Sequence, residues 1–390
     1  MDGGSFHHAL RVEPNKQHAH ESSLLLQRKI MALGGGKGGV GKTVLTAAMG
    51  IALAEAGKTA VVVDVDFGGA NLHQALGILN PPVTIRDFID GKERDLNNLV
   101  LETSVPNLYL LAGASGSIEL ANLTFAQKQK VLRHLRDIKA DYIFLDLGAG
   151  GAYNQLDYFL AADECILVVT PDPISIQDSY NFLKLSLFRR LYRLFKKNEQ
   201  VLAELKSLLS RPAATHASSM RELTSRMGRY GQSILSLWQQ AIQSFRPRII
   251  VNMMESEEDQ KECWTIRIAA REILNVHIRS YSYIRYDDDF RKAVKRMQPN
   301  MLLSESDLAS NDIRKIVSDL FLEGKMQVPM NVKNCESKIY LREKPPSLKE
   351  NDIICSVRCN LWGNCSVQNG GYPCRVKVIG HINQHKSMAM

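Results

Sequence analysis

From Lys29 onward, short apolar runs alternate with longer stretches whose apolar residues recur every three or four positions, and that alternation predicts a βαβα order. Lys29–Leu33 reads as a short buried strand. Val44–Ala56, rich in alanine and leucine and closed by Gly57, reads as a helix. Further strands are predicted at Thr59–Val65, Asn107–Leu111, Tyr142–Leu145, Cys165–Thr170 and Arg248–Val251, with Phe125–Ile138 and Ile266–Leu274 helical between them. Polar or turn residues close most of these strands: Asp64 and Asp66, Asp146, Pro171 and Asn252. The pattern predicts an α/β fold of three layers around a mostly parallel, twisted sheet, with any ligand bound beyond the carboxyl ends of the strands.

The chain between the first strand and the first helix reads Gly36-Lys37-Gly38-Gly39-Val40-Gly41-Lys42-Thr43, with Val44 next. Glycines in such a loop let successive backbone N–H groups curl around phosphates, while Lys42 reaches the outer ones and the Thr43 hydroxyl meets Mg²⁺. A helix starting there adds its positive end. The loop therefore predicts a P-loop that binds a nucleoside triphosphate. Asp146 closes the strand Tyr-Ile-Phe-Leu-Asp ahead of Gly148, Gly150 and Gly151, which suits a carboxylate in the Mg²⁺ shell (the Walker B role) and a glycine loop that senses the γ-phosphate. Asp64 and Asp66 lead into a second glycine loop, Phe67–Asn71, where one of them orients the attacking water. For all three aspartates the other reading is the capping of a turn or helix.

Composition narrows the class. The 390 residues are 45% hydrophobic and 23% charged, ordinary for a globular chain that buries a full core. No apolar run is long enough to span a bilayer, and the polar start, with His7, His8, His18 and His20, lacks a signal-peptide core, so a cytoplasmic location is expected. A net charge of +8 permits contact with nucleic acid or anionic lipid and requires neither. Seven cysteines in that setting favour reduced thiols or metal ligands over disulfides. Cys355, Cys359, Cys365 and Cys374 lie close together in a tail with few large apolar residues, which suggests a metal centre, zinc or an iron–sulfur cluster; the spacing is neither the paired C-x-x-C of zinc ribbons nor the ferredoxin run, so redox chemistry and unliganded thiols stay open. Cys335, His381 and His385 are spare ligands, and Cys165 and Cys263 read as core packing.

The loop Gly36–Thr43, the segment Asp64–Asn71 and the segment Leu145–Gly150 together resemble the MinD/ParA group of deviant Walker A ATPases, and within it the flagellar number and placement regulators FlhG and FleN. The resemblance covers residues 28–185 and 247–322. It implies that Lys37 reaches across an ATP-dependent homodimer to the neighbour's nucleotide, that Asp66 positions the hydrolytic water, and that Asp64 lies beside a Mg²⁺ ion held with Thr43 and Asp146. It also implies that Asn252 and Pro171 sit by the nucleotide, with ATP favoured over GTP because no Asn-Lys-x-Asp motif follows Asn252. The implied activity is slow, switch-type ATP hydrolysis to ADP and phosphate, governing the position or number of a cellular structure such as the flagellum. Two other readings are a metallocluster scaffold or carrier of the Mrp type and a DNA-partitioning ATPase of the ParA kind.

The expected organisation is a flexible segment over 1–27, an ATPase domain over 28–323 and a cysteine-rich extension over 324–390. Within the domain, residues 188–246 form an insertion where the family has one helix. Leu202–Leu209 and Met220–Phe245 have helical patterns there, separated by the turn-prone Ser210–Ser219, so a protruding hairpin that recruits a protein partner is expected, with the cysteine tail as a second candidate surface. On a helical wheel, Lys184–Lys197 gathers Leu185, Phe188, Leu191, Tyr192 and Phe195 opposite Arg189, Arg190, Arg193, Lys196 and Lys197. That helix packs its apolar side on the sheet or lies on anionic lipid, which would bring the protein to the inner face of the membrane or the cell pole. DNA is the less favoured partner.

Overall fold

Strands Ala60–Asp64 and Tyr142–Asp146 are buried along their whole length, which is why they read as unbroken apolar runs rather than alternating ones. A computed structural model describes residues 29–113, 123–210, 220–299 and 302–322. Among them the strands are β1 (Lys29–Gly34), β2 (Ala60–Asp64), β3 (Val100–Glu102), β4 (Leu108–Leu111), β5 (Tyr142–Asp146), β6 (Glu164–Val169), β7 (Arg248–Met254) and β8 (Tyr281–Arg285). They form one sheet in the order β3-β4-β2-β5-β1-β6-β7-β8. Every neighbouring pair is parallel except β3 and β4. The two strands that the hydrophobic pattern does not predict, β3 and β8, are the edges.

The helices are α1 (Lys42–Glu55), α2 (Leu72–Ala75), α3 (Ile85–Ile89), α4 (Phe125–His134), α5 (Tyr153–Ala161), α6 (Pro173–Leu194), α7 (Glu199–Ser210), α8 (Met220–Met227), α9 (Gln232–Gln243), α10 (Glu257–Glu272), α11 (Asp288–Arg296) and α12 (Leu308–Phe321). Alternate residues of each central strand serve opposite faces. Met31, Leu33, Val62 and Phe144 pack with Leu45, Met49 and Leu53 of α1 and with Ile313 and Val317 of α12. Ile30, Ala32, Val63 and Ile143 pack on the other side with Phe159 of α5, Phe182 of α6 and Ile266 of α10. Burying each such leucine, isoleucine, phenylalanine or methionine contributes roughly 1.5–3 kcal/mol. The expected three-layer architecture is therefore what the chain forms, with α12 closing one layer against α1 after the insertion has been passed.

Three local outcomes differ from the sequence pattern. Helix α10 starts at Glu257, well ahead of the predicted Ile266, because Ser256 and Asp259 form a capping box: the Asp259 N–H donates to Ser256 Oγ at 3.3 Å and the Ser256 N–H to Asp259 Oδ2 at 2.9 Å. The Met220–Phe245 pattern splits at Gly231, whose φ of 115° no ordinary helix residue adopts. The insertion also does not protrude as a hairpin: Val201, Leu205, Leu223, Met227, Trp238 and Phe245 are buried in the same core as the sheet. Trp238 Nε1 donates to Thr224 Oγ1 at 2.9 Å, and the Met220 N–H donates to the Ile273 carbonyl at 3.0 Å, tying the insertion to the end of α10.

In α6 the buried stripe is rotated from the helical-wheel expectation. Leu183, Leu187, Phe188 and Leu191 are buried, whereas Leu185 and Tyr192 are exposed. Arg189, on the side expected to face water, instead grips the buried Asp157 of α5. Among the described residues no helix is long and apolar enough to cross a membrane. The segment 1–27 and the extension 324–390, with Cys355, Cys359, Cys365 and Cys374, lie outside the described residues.

Candidate functional site

The parallel registers set the site. Leu33 of β1 and Asp64 of β2 both stand beside Asp146 of β5, so the phosphate loop and both strand-end carboxylates emerge at one edge. Between β1 and α1 the chain turns through Gly39 at φ 80° and Gly41 at φ 93°, left-handed conformations that glycine adopts without steric cost. A Cβ at Gly36 would lie 2.1 Å from the Asp178 carbonyl oxygen, so the loop can lie against α6 only with glycine there. A Cβ at Gly41 would lie 2.4 Å from Asn252 Nδ2. Helix α1 has no side-chain N-cap and no acidic residue in its first turn. Its first N–H groups, at Thr43 and Val44 among them, and its positive end are thus left for an anion.

The two loop lysines point to different places. Lys42 is buried, and its Nζ donates back across the loop to the Lys37 carbonyl at 3.2 Å. Burial pushes its pKa down, against the opposing pull of Asp146 and then Asp66. Lys37, half-exposed, turns its Nζ to Asp172 Oδ1 at 3.0 Å. Asp172 is itself the N-cap of α6, accepting from the Ser175 N–H at 2.9 Å and from Thr170 Oγ1 at 2.7 Å. The segment Thr170-Pro-Asp-Pro173 resembles the family's, but the sequence reading gives Asp172 itself no role, although an aspartate directly before Pro173 at the first helical position is a helix-start signal. Pro171, partly buried, lies between Thr170 and Asp172.

Asp146 is buried and accepts from Thr46 Oγ1 at 3.4 Å. Burial, followed by the nearby Asp64, pushes its pKa up to about 8, while a hydrogen bond from Thr43 works the other way. Asp64 is also buried and holds the second glycine loop in shape. Its Oδ1 accepts from the Asp66 N–H at 3.0 Å, and its Oδ2 from the Asn71 and Leu72 N–H groups at 3.0 and 3.1 Å. Burial pushes its pKa up to about 6 against those three hydrogen bonds. Asp66 is partly open and nests between two glycines: a Cβ at Gly148 would come within 2.8 Å of Asp66 Oδ1, and one at Gly69 within 3.3 Å of Oδ2. The loop after β5 is tied to the phosphate loop through the Gly150 N–H, which donates to the Gly35 carbonyl at 3.2 Å.

These groups fit a Mg²⁺ nucleotide. Asp66 pushes the Asp64 carboxyl up, and Asp64 and then Asp66 push up that of Asp146, a crowding of like charge in one recess that a divalent cation relieves, and the Thr43 hydroxyl with Asp146 supplies the hard oxygen donors that Mg²⁺ takes alongside phosphate and water. Among the described residues no group of three or more His, Cys, Asp or Glu side chains forms a protein-only metal cage. Asn252 is buried beneath the loop and its Nδ2 donates to the Val40 carbonyl at 2.9 Å, so its amide braces the loop in this conformation. Cys165 and Cys263 pack in the core as expected. Burial raises both thiols, Cys165 to about 12.

Comparison with known proteins agrees with this geometry. FleN, an antiactivator of Pseudomonas aeruginosa, is 33% identical over 159 residues, covering 40% of this chain and 56% of that protein. The septum site-determining protein MinD of Synechocystis sp. is 36% identical over 152 residues, 39% of this chain and 56% of the relative. The match thus spans about half the length of these relatives. In fold, the chain is similar to the septum site-determining protein MinD complexed with Mg-ADP from Pyrococcus horikoshii OT3, with a TM-score of 0.50 and 20% identity over 75% of this chain and 95% of that one. Residues 31–300, which carry the glycine loop, the paired strand-end aspartates and the insertion, match the family described as CobQ/CobB/MinD/ParA nucleotide binding domain. The resemblance read from the loop and the two aspartate segments holds, and the chain belongs to that MinD/ParA nucleotide-binding family.

Proposed function

We propose that this protein is an ATP-driven dimerisation switch: it binds ATP with Mg²⁺ at the Gly36–Thr43 loop, pairs face to face with a second copy, hydrolyses the nucleotide slowly and returns to the monomer. The observation that carries this reading is the separation of the two lysines. Lys42 is turned into its own loop, whereas Lys37 is turned out to Asp172 at the rim, where a neighbouring copy's phosphates would meet it. Around that rim the chain exposes large apolar side chains. Ile174, next to the Lys37–Asp172 pair, is 62% exposed, and Tyr153, following the glycine loop after β5, is 68% exposed.

In the proposed cycle the backbone N–H groups of the loop and the Lys42 ammonium hold the phosphates, and Thr43 and Asp146 orient the cation, with Asp64 beside it keeping the Asp66 loop in register. Bound Mg²⁺ would neutralise charge building on the phosphate oxygens. Asp66, the most open of the three carboxylates, orients the attacking water, and the Gly148–Gly151 loop reports the γ-phosphate. Asn252 and Pro171 are assigned to the base and sugar side of the nucleotide. The similarity to FleN and MinD supports regulation of the position or number of a cellular structure, with the flagellum as the favoured case. It also supports a cytoplasmic protein that visits the membrane's inner face peripherally. The ATPase domain is assigned to 28–323 and the cysteine-rich extension to 324–390.

Light scattering of the full chain with ATP and with ADP tests the reading. The expected result is a dimer with ATP alone, ATP binding abolished in Lys42→Ala, a weakened dimer in Lys37→Ala, and an ATP dimer that persists in Asp66→Ala. A wild type and an Asp66→Ala variant that both stay monomeric with either nucleotide would exclude the switch.

A further inference from the structure

Between the carboxyl-terminal half of α6 and helix α9 of the insertion lies a groove of about 460 Å³. Its floor is apolar, built from Leu160, Leu194, Leu237 and Ala241. Two of these are left largely uncovered: Leu194 is 46% exposed and Leu237 45%. Trp238 and Ile242 of α9 are buried, so the helix has already satisfied the core on one side and still presents a leucine on the groove side.

The charged side chains of the lining, Arg190 and Arg193, have one sign. Arg190 spans the groove from α6 to α9, its Nε donating to the Ala241 carbonyl at 3.0 Å and its Nη2 to Ser244 Oγ at 2.8 Å, which fixes the guanidinium and leaves further N–H donors on it. Arg193 is 43% exposed, and among the described residues its ion-pair contact is a loose 3.5 Å approach to Asp157 Oδ1. That carboxylate is already held by Arg189 through two hydrogen bonds of 2.8 Å and by Lys128. Three cations therefore share one buried carboxylate, and Arg190 adds a fourth positive charge close by. Among the described residues no acidic side chain lines the groove, and the exposed Lys196 and Lys197 follow directly after α6. An apolar floor under a positive field of which one carboxylate balances only part is complementary to a ligand with leucine-like side chains flanked by carboxylates.

We propose that the groove between α6 and α9 docks an acidic amphipathic helix of a partner protein, its apolar face on Leu194 and Leu237 and its Asp or Glu side chains on Arg190 and Arg193. A surface helix lying between two others buries both leucines at once, and the fixed planar guanidinium of Arg190 suits a carboxylate. The groove uses no residue of the phosphate loop, so the proposal stands apart from the switch reading.

The test is fluorescence anisotropy of the full chain with a labelled synthetic helix bearing leucines on one face and glutamates beside them. A second peptide has its glutamates replaced by lysines, and phosphatidylglycerol vesicles serve as the competing surface. Leu237→Ser removes an exposed contact without opening the core, and Arg193→Gln keeps the length of the side chain without its charge; thermal unfolding and nucleotide binding of both variants report that the fold is retained. The expected result is binding of the glutamate peptide that weakens with salt and falls by about tenfold or more in each variant, with no binding of the lysine peptide. Failure of the glutamate peptide to bind, equal binding of the lysine peptide, undiminished affinity in Leu237→Ser, or Arg193-dependent sedimentation with vesicles in place of peptide binding would overturn the proposal.

Discussion

Lys37 and Asp172 are joined within one chain, Nζ to Oδ1 at 3.0 Å, so the lysine proposed to serve a neighbouring copy is engaged at home before any neighbour arrives. Both side chains are more than one-third exposed, which puts the pair in the range of a few tenths to about 1 kcal/mol. Dimerisation has to break or re-use that pair. Asp172→Asn keeps an oxygen for the Ser175 N–H, hence the helix cap, and removes the charge that holds Lys37. ATP-dependent dimerisation is then expected at a protein concentration lower by about 1.5- to 5-fold. Light scattering across a concentration series checks this, and an unchanged or higher midpoint would mean that the pair does not restrain Lys37.

Gly36 faces a backbone atom rather than a movable side chain. A methyl group there would lie 2.1 Å from the Asp178 carbonyl oxygen, and α6 is held in place by a buried stripe from Ile176 to Leu191, so the loop has to give way instead. Gly36→Ala is expected to abolish nucleotide binding and to lower stability by about 1–3 kcal/mol, the range for overpacking in a rigid setting. Gly228→Ala, where the backbone is likewise not at positive φ and a Cβ would meet nothing closer than Leu235 Cδ2 at 3.8 Å, serves as the control for loss of a glycine without overpacking and is expected to leave nucleotide binding intact. Fluorescent nucleotide titration and thermal unfolding separate the two outcomes.

The sheet and the phosphate loop were legible because both obey local rules. An apolar run buried on both faces announces itself, as at Val61–Val63 and Ile143–Leu145, and the glycines of the loop are fixed by backbone conformations that few other residues adopt. The edge strands were not legible, since Val100–Glu102 is short and partly exposed and Tyr281–Arg285 is held by its pairing to β7. Neither was the partner of Lys37, because the pairing joins residues 135 positions apart. The insertion shows the limit most clearly. Its helical periodicity was visible, but whether Trp238 faced solvent or the main core depended on Phe195, whose ring centroid lies 5.9 Å away, and on the docking against α10.

Trp238 gives a test of that docking. It is among the largest wholly buried side chains, stacked obliquely with Phe195 and hydrogen-bonded to Thr224. Trp238→Ala is expected to cost about 3–5 kcal/mol of stability, as large-to-small changes of aromatic residues do. A hairpin standing clear of the domain would unfold separately, whereas an insertion that shares the core should melt with it in one transition. Calorimetry of the wild type and the variant distinguishes a single lowered transition from two.

Asp157 gives the pH dependence. Burial alone would raise its carboxyl pKa, but hydrogen bonds from Arg189 and then Lys128, with the charges behind them, hold it below the ordinary 3.8. A group whose pKa is lower in the folded state than in the unfolded one binds fewer protons when folded, so its contribution is fully present above the unfolded value and is lost as pH falls through the folded one. Removing the carboxylate strands Lys128, almost wholly buried, and Arg189 beside it. Asp157→Asn is therefore expected to cost about 3–5 kcal/mol at neutral pH, as breaking a buried pair from one side does. The gap between variant and wild type should stay constant from pH 7 down to about 5 and narrow below about 4, where the carboxylate of the unfolded wild-type chain takes up a proton before the folded one does. Urea unfolding of both proteins at a series of pH values measures that gap; a difference that persists unchanged through the acid range would show that the charge on Asp157 is not what holds α4, α5 and α6 together.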